Sequence, residues 1–152
     1  MALRITSNGK VRFLGTGNPP LQIEVGGALW QVKTKVVDMS PAAGLTIASF
    51  FPAAALSLGI SSRVILPVTT TGSPTAVNIT EGANVYNVLT VTSNAIAVGT
   101  TAIMSSGSVT VPKQFNAAGT LTITFTGGAS PAITVGILRI VLFYADISAP
   151  TI

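Results

Sequence analysis

Apolar and polar residues alternate with a period of two along much of this chain, and residues 133–147, ITVGILRIVLFYADI, are where that alternation gives way. One face of the stretch carries Ile137, Arg139, Val141 and Phe143; the other carries Leu138, Ile140 and Leu142. Between Ile137 and Phe143 only Arg139 is polar on either face. A half-exposed antiparallel strand is polar on one side, so a strand apolar on both needs cover on both. The protein's own core is one cover. A second subunit or another protein is the expected other.

The remaining pattern predicts strands and turns. Residues 2–6 and 10–14 flank Asn8-Gly9, a strong hairpin signal. Parity selects a three-residue loop, Ser7-Asn8-Gly9, which pairs Ile5 with Val11 and Leu3 with Phe13 and gathers Arg4, Thr6, Lys10 and Arg12 on the opposite face. Gly9 supplies the left-handed position of such loops. The basic face is either solvated or a docking face for an acidic neighbour. A second hairpin is predicted across Gly26-Gly27, pairing Val25 with Ala28, Ile23 with Trp30 and Leu21 with Val32, with Lys33 and Lys35 on its polar face. Trp30 reads as a core anchor. Residues 40–62 break the pattern. Pro52 after Phe50-Phe51, and Gly59 after an Ala-rich run, predict a short helix of about two turns over 53–58. Phe50 and Phe51 either plug a neighbouring subunit or pack within the domain.

From Arg63 onward strand follows strand: 63–70, interrupted or at an edge because of Pro67, then 75–80, 84–92, 95–104, 108–111, 120–126 and the final stretch. In TLTITFT, residues 120–126, Leu121, Ile123 and Phe125 point inward and the threonines outward. About seven short strands spaced by turn residues indicate a sandwich or a barrel, with a jelly roll of two antiparallel sheets the first choice. The expected fold is therefore all-β, an antiparallel β-sandwich with at most one short helix. Its core is placed at residues 61–152, after an N-terminal hairpin or arm region over 1–60.

Charged residues are only 8% of the 152 positions, against an ordinary quarter, while 48% are hydrophobic. Burial of extra surface in an assembly explains this better than a solitary monomer does. Eight Lys and Arg against four Asp and Glu give a net charge of +4, but the basic residues are scattered and lack interleaved aromatics. No nucleic-acid partner is expected. The N-terminus lacks the apolar core of a signal peptide, and the uncharged run 42–60 is interrupted by Pro52 and several Gly and Ser, so no membrane partner is expected either.

The chain has no cysteine and no histidine, which excludes disulfides, thiolate chemistry and His-dependent catalysis or zinc binding within it. Glu24, Asp38, Glu81 and Asp146 are isolated in sequence and suit neither a calcium loop nor a glycosidase pair. Gly15-Thr16-Gly17 lacks the Lys-Ser/Thr of a phosphate loop, and Asn78-Ile79-Thr80 matches the glycosylation acceptor pattern. No enzymatic activity, cofactor or metal is expected. Arg139 needs a partner, because a buried unpaired guanidinium is costly: Asp38, Glu81 or Asp146 within the domain, or a group across an interface.

In its general character, with two hairpins and a Pro/Ala/Gly/Phe-rich segment ahead of an all-β portion ending in GILRIVLFYADIS, the chain resembles the small decoration (cement) proteins of tailed bacteriophage capsids. The resemblance implies a jelly roll that forms a homo-oligomer, a trimer or sometimes a dimer, on the outer surface of the virion. There it would clamp neighbouring major capsid protein subunits. On that reading Arg4, Lys10, Arg12, Lys33 and Lys35 contribute to capsid docking, and Phe50, Phe51, Ile137, Arg139, Val141 and Phe143 to self-association. The alternatives are a head-fibre or tail-fibre receptor-binding module that reads carbohydrate, with Trp30, Tyr86 and Tyr144 as its aromatics, or a small jelly-roll coat protein.

Overall fold

The computed structural model describes residues 2–5, 11–14, 22–24, 30–40, 45–103 and 107–147, and every regular element among them is a β-strand. A small antiparallel sheet comes first: β1 (Ala2–Ile5), β2 (Val11–Leu14) and β3 (Gln22–Glu24), in that order. Ile5 stands opposite Val11 and Leu3 opposite Phe13, the register that parity predicts. Among the described residues the second hairpin is not formed, and its turn at Gly26-Gly27 lies outside them. Ile23 of β3 pairs with Phe13 of β2 rather than with Trp30, and β4 (Trp30–Asp38) joins a different sheet.

The remaining strands are β5 (Leu45–Phe51), β6 (Ala55–Thr71), β7 (Ala76–Glu81), β8 (Asn84–Thr90), β9 (Ala95–Ile96), β10 (Thr101–Ala102), β11 (Lys113–Phe115), β12 (Gly119–Thr126) and β13 (Ala132–Asp146). They make two antiparallel sheets packed face to face. One has the order β4-β13-β6, with β9, β10 and β11 along the far edge of β6; the other is β5-β12-β7-β8. β9 and β10 keep one register on β6, with Ala95 opposite Thr69 and Ala102 opposite Ser62, so they are pieces of a single broken edge strand that β11 resumes. Counting that edge once, from β4 onward, one sheet reads first-eighth-third-sixth and the other second-seventh-fourth-fifth. This is the strand order of a jelly roll, in which the chain passes repeatedly from sheet to sheet.

The sandwich begins at Trp30 rather than after residue 60, because β4 and β5 are integral to its sheets. The predicted helix over 53–58 is absent as well. Pro52 starts a tight turn, Ala54 takes a positive φ of 53°, and Ala55 opens the long strand β6. A short apolar run has no decisive period of its own, and pairing with β13 along the length of β6 decides it. Pro67 lies in β6 where the register with β13 shifts, between Leu66 and Thr69, so a central strand accommodates it at an irregularity.

Between the sheets lie Leu138, Ile140 and Leu142 of β13, Val64 and Val68 of β6, Val77 and Ile79 of β7, and Leu121 and Ile123 of β12, all fully buried. Phe51 stacks on Phe115 with ring centroids 4.4 Å apart and meets Phe50 edge-on at 5.4 Å. Each such side chain contributes roughly 1.5–3 kcal/mol by leaving water. After β10 the chain crosses to the other sheet. The Gly107 N–H donates to the Tyr86 carbonyl (2.9 Å) and the Val109 N–H to that of Val85 (3.0 Å), which covers part of the β8 edge. A Cβ at Gly107 would stand 2.2 Å from the Val85 carbonyl oxygen, so only glycine permits this approach.

A candidate docking face on the larger sheet

The outer faces of the two sheets differ in chemistry. On β5-β12-β7-β8, Thr46, Thr122 and Thr80 share one register row, and Thr124, Asn78 and Val88 the next but one. The Asn78 amide nitrogen donates to Thr126 Oγ1 at 2.7 Å and Thr80 Oγ1 to the Thr122 carbonyl at 3.1 Å. That face is mostly polar and bonds in part to itself, with Val88 the exposed apolar residue in these rows. Asn78 is buried and bonded, so the glycosylation pattern it belongs to is not presented to solvent.

The outer face of β4-β13-β6 is mostly apolar. Val32, Phe143 and Gly59 form one row; Thr34, Val141 and Ser61 the next; Val36, Arg139, Arg63 and Thr101 the third. Val32 is 61% exposed, Val36 55% and Ile103, just beyond β10, 68%. Ile137, Val141 and Phe143 are half-buried on this face, and Arg139 is exposed. The doubly apolar strand therefore has one face in the core and the other uncovered among the described residues.

Arg139 stands directly opposite Arg63. Antiparallel partners have Cα atoms about 4.5–5.5 Å apart, and like charges placed so are mutually destabilising. Both arginines line an open concavity of about 210 Å³, with Ser61, Thr101, Ile103 and Val141 around them. None of the three internal partners expected for Arg139 reaches it. The Asp38 carboxylate accepts from the Ser40 N–H (3.0 Å) and Oγ–H (2.8 Å), bonds that hold its pKa below the usual carboxylate value. Glu81 accepts from Lys113 and from the Asn84 amide, and Asp146 ends the strand. Among the described residues, neither arginine has an ion-pair partner.

The other residues singled out from sequence are dispersed. Phe50 and Phe51 are buried in the domain's own core, which places self-association there out of reach and leaves packing within the domain as their role. Lys33 and Lys35 lie on the core side of the edge strand β4, in alternation with Val37. Lys33 Nζ donates to the Ser49 carbonyl at 2.9 Å and sits 5.5 Å over the Phe50 ring, tying β4 to the neighbouring sheet. Arg4 is opposite Arg12, and Arg12 opposite Glu24, so the basic row of the N-terminal sheet also takes in an acid; Lys10 lies outside the described residues. Tyr86 is fully buried, and Tyr144, half-buried, donates to Gln31 Oε1 at 2.6 Å, so neither offers an open stacking platform. Trp30 occupies the register position opposite Ala145.

Arg63 was not legible as a site residue, because nothing local in the sequence says which strand lies beside β13. A second concavity of about 340 Å³, near Pro67, Thr90 and Thr100, is lined by no charged group. Among the described residues no cluster of three potential metal ligands occurs, and no helix is long and apolar enough to cross a membrane. No family model, curated protein or solved structure matches the chain.

Proposed function

We propose that this protein is a non-enzymatic structural component of a virion, which docks through the outer face of β4-β13-β6 onto the head and clamps neighbouring major capsid protein subunits. The observation that carries the reading is the contrast between the two outer faces: one a self-bonded Thr/Asn surface, the other apolar with Val32 and Val36 more than half exposed. Exposed apolar patches of that kind mark interaction sites. Jelly rolls serve in viral capsids but also in lectins and cupins, so the fold is compatible with this role without assigning it. The clamp would be mechanical. Burying 1,000 Å² of apolar surface is worth roughly 25 kcal/mol gross, most of which ordering and association costs absorb. Repetition over many sites on one particle then multiplies a modest net gain.

The test is co-sedimentation of purified protein with heads assembled without it, followed by heating. Bound protein should raise the temperature at which the heads rupture. Val32→Glu, on the exposed face, should abolish binding and leave the circular dichroism spectrum unchanged. Heads that neither bind the protein nor gain heat resistance would rule the clamp out.

A further inference from the structure

We infer that Arg63 and Arg139 form a receptor for a carboxylate, whose occupant is an aspartate or glutamate side chain on an apolar surface of a different protein; this rests on the docking reading above. The two arginines come from adjacent strands in the body of the sheet, and their backbones are locked opposite one another. Each guanidinium is a planar fork of N–H donors that matches a carboxylate. No carboxylate among the described residues forms an ion pair with either of them: Asp38 bonds Ser40, and Glu81 pairs with Lys113. An anion seated between the two arginines removes their mutual repulsion and gains charge-assisted hydrogen bonds. The Thr101 hydroxyl adds a donor at the rim, while Val141 and Ile103 give the concavity an apolar wall. That wall lowers the local dielectric and strengthens the contact.

Charge complementarity selects the occupant. A second copy of this chain would bring another arginine pair to the face, and the one acid in the outer-face alternation of β4, Asp38, is already bonded to Ser40. The net charge of +4 opposes such a contact further. A nucleic acid would find two cations in a mainly apolar field, too few to neutralise a phosphate backbone. An apolar protein surface bearing one carboxylate satisfies both the arginines and the valines.

The experiment uses glutarate as a carboxylate probe, with phosphate and chloride as comparators at constant ionic strength. The Nε–Hε resonances of Arg63 and Arg139 are followed by NMR, and thermal unfolding is measured alongside. Glutarate should shift both resonances saturably and raise Tm. Arg139→Gln should raise Tm without any probe, by up to about 2–4 °C, because it ends the like-charge contact. It should also abolish the glutarate response at Arg63. Shifts no larger than with chloride, phosphate binding as tightly as glutarate, or a Tm lowered by Arg139→Gln would each overturn the receptor. The docking reading is scored separately with Val32→Glu, on β4 away from the concavity. Heads that retain Arg139→Gln but lose Val32→Glu keep the docking face and overturn the receptor. Heads that bind Val32→Glu normally, with glutarate behaving as expected, overturn the docking face and leave the receptor standing.

Discussion

At the scale of single residues, burial changes the chemistry of an ionisable side chain in the core. Tyr86 is fully buried between the sheets and its phenol pKa is pushed up to about 12, chiefly because burial disfavours the phenolate. The Ser57 hydroxyl tempers the shift without reaching hydrogen-bond geometry. Since the folded pKa exceeds the unfolded one, the folded state holds its proton longer. The associated stability is complete below about pH 10 and is lost as pH rises towards 12, by an amount on the order of 2 kcal/mol. Urea unfolding from pH 9 to 12 should therefore show a steeper alkaline loss for the wild type than for Tyr86→Phe. Parallel curves would mean that Tyr86 ionises as it does in the unfolded chain.

At the scale of elements, the edges of the sandwich are managed in different ways. β8 is covered in part, at Val85 and Tyr86, by the crossing at Gly107 and Val109. Gly107→Ala would drive a methyl group into the Val85 carbonyl, so it should lift the crossing away. Amide exchange at Val109 should then accelerate and the protein should aggregate more readily, as edges freed of cover do. Among the described residues β4 has no strand on its outer edge, and it carries Lys33 and Lys35 on its core side, where inward charge discourages a second edge strand from docking. Replacing both with Val should promote concentration-dependent association, visible by light scattering. On the broken edge strand, Phe115 anchors β11 by stacking on Phe51. Phe115→Ala should cost about 3–5 kcal/mol in chemical denaturation. Lys113→Ala removes a half-buried ion pair with Glu81 and should cost about 1 kcal/mol or less.

At the scale of the whole molecule, the two outer faces divide the labour. The Thr/Asn face bonds in part to itself, whereas the outer face of β4-β13-β6 is apolar and uncovered among the described residues. Val32 and Val36 contribute little to the core, so Val32→Thr with Val36→Thr should alter unfolding free energy by no more than about 0.5 kcal/mol. Binding of an apolar-surface dye should nevertheless fall. The homo-trimer implied by the resemblance would show in solution as a mass of three chains that survives dilution. If the arginine-bearing face is reserved for a different protein, Val32→Glu should leave that mass unchanged, and a trimer dissolved by it would place self-association on this face instead.

The alternation of the sequence by itself determined that the chain is built of strands, that 120–126 faces the core with Leu121 and Ile123, and that 133–147 is apolar on both sides. It also set the register of the first hairpin, since parity and a glycine turn act within a few residues of one another. Only the tertiary structure decided that β4 leaves the expected second hairpin for β13, that residues 53–58 turn into a strand instead of a helix, and that Arg63 comes to lie against Arg139. Each of these is a pairing between segments distant in the chain. Such pairings are set by which long apolar strand must cover its edges and bury its face, a competition that local propensity enters only weakly.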